Sequence, residues 1–189
     1  LRNSLIVSLV ASFIVIGLGI LGAYALARYE FTGKAQVMLA FLATQMIPGL
    51  IALAPLYLLL SKVNLLNTLI ALIFCYVGGM VPFATIMLRG FLQRIPPELD
   101  EAALIDGCNR FTALFRVVFP VALTGIAATF IFALVQCWNE LFLAMVLIDS
   151  DGNKTFPVGM RSFVGAYYIE WGGLAASVMI GIIPTVIMF

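Results

Sequence analysis

Histidine is absent from the sequence, charged residues are scarce, and the three cysteines are scattered. Each shortage closes off a class of function. With no histidine, and with Cys75, Cys108 and Cys137 far apart, neither a zinc framework nor a disulfide scaffold is supported. The cysteines read as small buried residues. Only 10% of the 189 residues are charged, whereas a soluble domain carries roughly 25%. A chain this short leaves much of its surface exposed, so the missing charge points to a surface that faces lipid. A net charge of +1 supplies no clustered basic face for nucleic acid. The phosphate loop G-x-x-x-x-G-K-[ST] is also missing, so the chain does not hold ATP by that device. No metal site is expected.

Apolar residues are abundant: 63% of the chain, with a mean hydropathy of +1.15. A helix needs about 20 mostly apolar residues to cross a bilayer. Five stretches qualify or nearly qualify, at about 3–27, 35–60, 67–88, 117–148 and 172–189. The strict alternation of barrel strands does not occur. The expected fold is all-α, a polytopic bundle of transmembrane helices forming one membrane domain over 1–189. Pro48, Pro55, Gly78, Gly79, Pro82 and Pro184 fall inside these stretches and predict kinks or broken helices, which in transporters line pathways. The chain begins at Leu1 and stops at Phe189 within an apolar run, so a longer protein is expected.

Lysine and arginine set the orientation. Arg28, Lys34, Arg89, Arg94, Arg110 and Arg116 group on one side, against Arg2, Lys62, Lys154 and Arg161 on the other. This bias puts the 89–116 loop in the cytoplasm and the 149–171 loop outside.

The 89–116 loop breaks the membrane pattern abruptly. Pro96 and Pro97 suit a helix start, where a missing N–H costs nothing. Glu98, Asp100 and Glu101 then place negative charge at the positive end of the helix dipole. Gly107 suits a left-handed stop, giving a helix over about 97–106. Ala102 and Ala103 predict a smooth patch on it, and Leu99, Ala103 and Asp106 a mixed apolar and acidic face. A second short helix is expected over about 110–115.

The run Glu101-Ala102-Ala103, three residues, Gly107, nine residues, then Val117-Val118-Phe119-Pro120 resembles the EAA loop of ATP-binding-cassette importer permeases. That family's pattern is EAA, three residues, Gly, nine residues, Ile-x-Leu-Pro. Val117 and Phe119 replace Ile and Leu, apolar for apolar. Residues 82–120, Trp138-Asn139-Glu140 and the stretch from Phe156-Pro157-Val158-Gly159 to Trp171-Gly172 look like carbohydrate permeases of the maltose type. The resemblance implies a type I importer fold, with the five stretches corresponding to the second to sixth of six spans. It implies that Glu101, Ala102, Ala103, Asp106, Gly107 and Pro120 belong to the loop that couples to separate ATPase subunits carrying ATP and Mg, with no cofactor on this chain. It also implies a second, non-identical permease, an extracytoplasmic binding protein, a bacterial inner-membrane location, and a sugar or related polyol as substrate. The chain itself is then not an enzyme.

The fourth stretch carries Gln136, Trp138, Asn139 and Glu140 among apolar neighbours. An intramembrane carboxylate is by default a functional candidate. On a straight helix Glu140 would lie roughly 30 Å beyond Pro120, near the outer interface, on one face with Gln136. Aromatic rings and amides suit a hydroxyl-rich substrate; Gln45 and Tyr76 are further pathway candidates. In the 149–171 loop, Phe163, Tyr167, Tyr168 and Trp171 read as interfacial aromatics or as contacts for a binding protein. The rival reading is a carrier driven by an ion gradient. It needs buried ionisable groups near the midplane, and apart from Glu140 the stretches offer none. An intramembrane enzyme lacks a convergent nucleophile and base.

Overall fold

The computed structural model describes residues 1–165 and 167–188. The described residues are helical almost throughout and form no strand beyond an isolated bridge between Val164 and Ile169. In chain order the helices are α1 (Arg2–Arg28), α2 (Lys34–Met46), α3 (Gly49–Lys62), α4 (Leu69–Leu92), α5 (Glu98–Ile105), α6 (Arg110–Ala113), α7 (Phe119–Val121), α8 (Leu123–Asn139), α9 (Phe142–Leu147), α10 (Phe156–Met160) and α11 (Trp171–Met188). A π turn, Leu114–Val118, joins α6 to α7.

Helices α1 and α4 are each long and apolar enough to cross a membrane alone; two bent pairs bring the number to four, and α11 is apolar but shorter. The second stretch is therefore no single rod. Pro48 drives the preceding Ile47 into an extended conformation (φ −79°, ψ 119°) because its ring crowds the helical alternative, and the helix is interrupted between Met46 and Gly49. Pro55, Pro82 and Pro184, by contrast, lie within continuous helices. The fourth stretch also departs from the straight span expected. Pro120 has no N–H for the Arg116 carbonyl and crowds it, and the turn just upstream is widened to π. The chain then bends by 83° before α8, and α8 ends at Asn139. The straight-helix height for Glu140 above Pro120 does not hold, since the two residues share no axis.

The chain divides into two compact units, residues 13–47 with 77–133, and residues 1–12, 48–76 and 134–189. The first unit has its core in Ile16, Ile20, Leu88, Leu92, Leu114 and Val118, all buried. Close helix approach in it rests on small residues, as membrane packing requires. Gly19 and Gly22 of α1 lie against α4, where added Cβ atoms would come within 3.2 Å of Ala84 and 3.1 Å of Thr85. Gly17, Gly19 and Gly22 have the spacing of a dinucleotide-binding loop, but they lie inside an uninterrupted helix rather than at a strand-to-helix turn, so the spacing serves packing. At Gly125 a Cβ would fall 2.4 Å from Phe91 Cγ and 2.8 Å from its Cβ. Gly125→Ala is therefore expected to destabilise the protein by about 1–3 kcal/mol through overpacking, despite the gain of about 1 kcal/mol that alanine brings to a helix. Thermal melting in detergent checks this: a midpoint equal to or above that of the unaltered protein would contradict it.

In the second unit the 149–171 loop is tied down by Asn67. This residue adopts a left-handed conformation (φ 60°), which asparagine tolerates. Its Oδ1 accepts from Ser150 N at 3.0 Å and Ser150 Oγ at 2.8 Å, and its carbonyl accepts from Asn153 Nδ2 at 2.7 Å. Asn3 Nδ2 donates to the Gly152 carbonyl at 2.7 Å, and Phe156 N to Ser4 Oγ at 2.6 Å. Lys154 donates to Asp151 at 2.5 Å and holds that exposed carboxyl below the usual carboxylate range.

Candidate coupling site

Helix α5 is built from its ends. Pro97 already has helical angles (φ −65°, ψ −19°), and Glu98, Asp100 and Glu101 fill the first turn. At the other end Gly107 sits at φ +86°. Its N–H donates to the Leu104 carbonyl at 3.1 Å, and Cys108 N to the Ala103 carbonyl at 3.0 Å. This pair of bonds closes a helix with a left-handed residue just past its end. The expected helix and its glycine stop are thus present within a residue at each end.

The faces differ from expectation in one respect. Glu98, Leu99, Glu101, Ala102, Leu104, Ile105, Asp106 and Gly107 are exposed, with Ile105 at 86%. Ala103 is only 5% exposed. The smooth patch belongs to Ala102 alone, and Ala103 packs inward one turn after Leu99. Pro120 is exposed on α7, away from α5 in sequence. The second short helix, α6, is capped by Asn109, whose Oδ1 accepts from Thr112 N at 2.8 Å. It continues into the π turn and so runs further than expected. Exposed Phe111 and Phe115, with ring centroids 4.7 Å apart, add apolar surface there.

Sequence reasoning missed what lies beneath. Asp100, read only as dipole charge, is 8% exposed. Its Oδ1 accepts from Tyr24 Oη at 2.6 Å, and its Oδ2 lies 2.8 Å from Arg28 Nε. The Arg28 N–H is not aimed along that line, so the contact is one of charge more than of an aligned hydrogen bond.

The polar residues of the fourth stretch separate. Gln136 and Asn139 are exposed on α8. Trp138 is buried and donates from Nε1 to the Gly181 carbonyl at 3.2 Å. Glu140 does not share an open face with Gln136, because α8 has already ended. Its Oε1 accepts from Leu143 N at 2.8 Å, and its Oε2 from Ala144 N at 3.1 Å and Tyr76 Oη at 2.9 Å. It caps α9 and holds a buried tyrosine. Gln45 is exposed and reaches the Gly79 carbonyl only at 3.4 Å. A cavity of about 240 Å³ is lined by Trp138, Asn139, Phe156, Met160, Gly181 and Thr185 among others. Tyr167, Tyr168 and Trp171 are exposed, and Phe163 half-buried.

Apolar helices too many for a soluble core, two of them broken, and a short acidic helix set between α4 and α8 define a polytopic membrane protein. The chain belongs to the family described as the binding-protein-dependent transport system inner membrane component, whose profile matches residues 2–189. It is 35% identical over 188 residues to the inner membrane ABC transporter permease protein YcjP of Escherichia coli (strain K12), covering 100% of this chain and 67% of that protein. It is 36% identical to the sulfoquinovosyl glycerol transport system permease protein SmoH of Agrobacterium fabrum (strain C58 / ATCC 33970), with 100% and 66% covered. Against the trehalose/maltose transport system permease protein MalG of Thermococcus litoralis (strain ATCC 51850 / DSM 5473 / JCM 8560 / NS-C) the identity is 31%, with 100% and 68% covered. The chain thus spans about two thirds of the length of these relatives. The fold is shared with a bacterial ABC transporter involved in import of the acidic polysaccharide alginate, at a TM-score of 0.84 and 20% identity, covering 98% of this chain and 70% of that one. It is also shared with the MetNI methionine ABC transporter, at 0.80 and 17%, covering 99% and 88%. The chain is a multi-pass permease component, and a carrier driven by an ion gradient is not favoured.

Proposed function

We propose that this chain forms part of the path for a sugar or related polyol and is driven by separate ATPase subunits docking on α5. The observation that carries the reading is the exposed face of α5, where Glu101, Ala102, Ile105 and Asp106 stand outward and the left-handed Gly107 turns the chain away. A carboxylate beside an apolar side chain suits a groove with a basic residue and an apolar floor. In this reading ATP and Mg are held by the ATPase subunits, residues 89–116 are cytoplasmic, and residues 149–171 are extracytoplasmic, where a binding protein delivers substrate. A second, non-identical permease completes the path. Ala103, buried, and Pro120, on α7, shape the loop while the exposed residues of α5 touch the motor.

The substrate class rests on relatives whose names specify sulfoquinovosyl glycerol, diacetylchitobiose and trehalose/maltose. The exposed amides Gln136 and Asn139, and the cavity between Trp138 and Phe156, are the strongest pathway candidates on this chain. Gln45 follows them, while Tyr76 and Glu140 support the path by holding its walls.

The test uses the full permease with its ATPase, second permease and binding protein in proteoliposomes. Glu101→Lys is expected to release the ATPase during purification and to lower sugar uptake on the order of tenfold, as the loss of about 1.4 kcal/mol of docking energy would. Uptake and ATPase retention at the level of the unaltered assembly would show that α5 is not the docking element.

A further inference from the structure

Helix α5 is attached through its backbone to α4 before it and to the π turn, α7 and α8 after it. Its side chains add a third attachment, to α1, more than seventy residues away in sequence. Asp100 faces inward and meets Tyr24 Oη at 2.6 Å and Arg28 Nε at 2.8 Å, with the Arg28 and Asp100 side chains only 9% and 12% exposed. A second guanidinium nitrogen of Arg28 donates at 3.0 Å to the carbonyl of Ile95, just before the two prolines that start α5. Beyond α5, the Arg110 guanidinium lies 4.8 Å over the ring of Tyr29, which itself meets Tyr24 edge-on at 6.1 Å. On the near side, Arg89 Nε donates at 3.3 Å to the carbonyl of Leu26. The last turn of α1 and Tyr29 just past it therefore grip the chain before α5, in its first turn and after it.

Surface ion pairs hold little, but this one is enclosed, and removing either partner leaves a buried charge uncompensated. The arrangement has the form of a joint. Glu101 and Asp106 point out toward a motor, while Asp100, one residue before Glu101, points in toward a membrane span. We infer that Tyr24, Arg28 and Asp100 are positioning residues that deliver movement of the docking helix to α1, so that three membrane helices are displaced together. The inference rests on the reading of α5 as the docking helix.

The experiment measures sugar molecules imported per ATP hydrolysed by the complete assembly in proteoliposomes, together with the yield of assembled complex. Asp100→Asn and Arg28→Gln are expected to lower the import-to-hydrolysis ratio about tenfold, Tyr24→Phe about twofold to threefold, and Arg28→Lys, which keeps the charge, less than Arg28→Gln. The pair Arg28→Met with Asp100→Leu removes both charges and fills the site with apolar side chains, so it is expected to fold where single variants fail; its ratio is expected to stay low. A merely structural role would reduce yield and leave the ratio per assembled complex unchanged, and that result overturns the inference. Glu101→Lys serves as the control. If it leaves docking intact, the docking reading itself fails; if it blocks docking while the Asp100 and Arg28 variants keep a normal ratio, only the joint fails.

Discussion

Exchange of Gly107 for proline is expected to abolish uptake by the reconstituted importer while the membrane helices stay folded. Gly107 sits at φ +86°, and proline is confined near −65°. Proline also lacks the N–H that Gly107 gives to the Leu104 carbonyl, and its ring disfavours the near-helical conformation (φ −71°, ψ 6°) of Asp106 before it. The end of α5 must therefore unwind, taking Ile105 and Asp106 out of the proposed docking face. Gly107→Ala supplies the graded comparison. It keeps the N–H but forces a Cβ into the left-handed region, a cost of about 1–2 kcal/mol, and is expected to lower uptake without ending it. An added Cβ meets no atom there, so the effect is one of backbone conformation alone. Uptake and ATP hydrolysis are measured on the same vesicles. Normal uptake with proline at 107 would remove α5 from the coupling path.

The second large effect is expected at Glu140, on stability more than on substrate. Its two oxygens satisfy two backbone N–H groups and the buried Tyr76 hydroxyl. Glu140→Ala strands all three donors, at about 1–3 kcal/mol for each one that water cannot reach. Water reaches some of them through the half-exposed site, so the expected loss is about 2–4 kcal/mol in all. Tyr76→Phe removes one donor with its partner still bound elsewhere, and is expected to cost about 1 kcal/mol. Thermal melting in detergent reads both, and the sugar concentration for half-maximal uptake is read on what remains folded. A raised half-maximal concentration with unchanged melting would return Glu140 to the substrate path. Gln136 and Asn139, exposed on α8, are expected to show that opposite pattern.

The sequence made the apolar helices legible because lipid imposes composition directly, and it made α5 legible because its ends are written locally. Two prolines, four carboxylates and a glycine lie within twelve residues, and the prolines, the glycine and the first-turn carboxylates each act on their own backbone. Asp100 stood in the same run and was misread, since a carboxylate in a first turn is already accounted for by the dipole. What distinguishes it is a tyrosine and an arginine on a distant helix, and no local pattern announces them. The break at Pro48 could be anticipated as an interruption, because proline acts on the backbone of the residue just before it. The end of α8 at Asn139 was hidden. Residues 141–147 are as apolar as those before them, so composition runs through a boundary that only the capping carboxylate marks. Ala103 shows the limit on faces: a short helix has two sides, and spacing alone does not say which one is covered.

The π turn at Leu114–Val118 sets the phase of everything after it. A π turn holds one residue more than an α turn, and each α-helical residue turns the chain by about 100°. Deleting one residue here would let the ladder close as ordinary α-helix and swing α8 by about that angle, carrying Gly125 away from the Phe91 ring it accommodates. The nine-residue interval between Gly107 and Val117 is in this sense a rotational setting. It determines which side of α8 meets Phe91, so the interval is expected to tolerate substitutions far more readily than insertion or deletion.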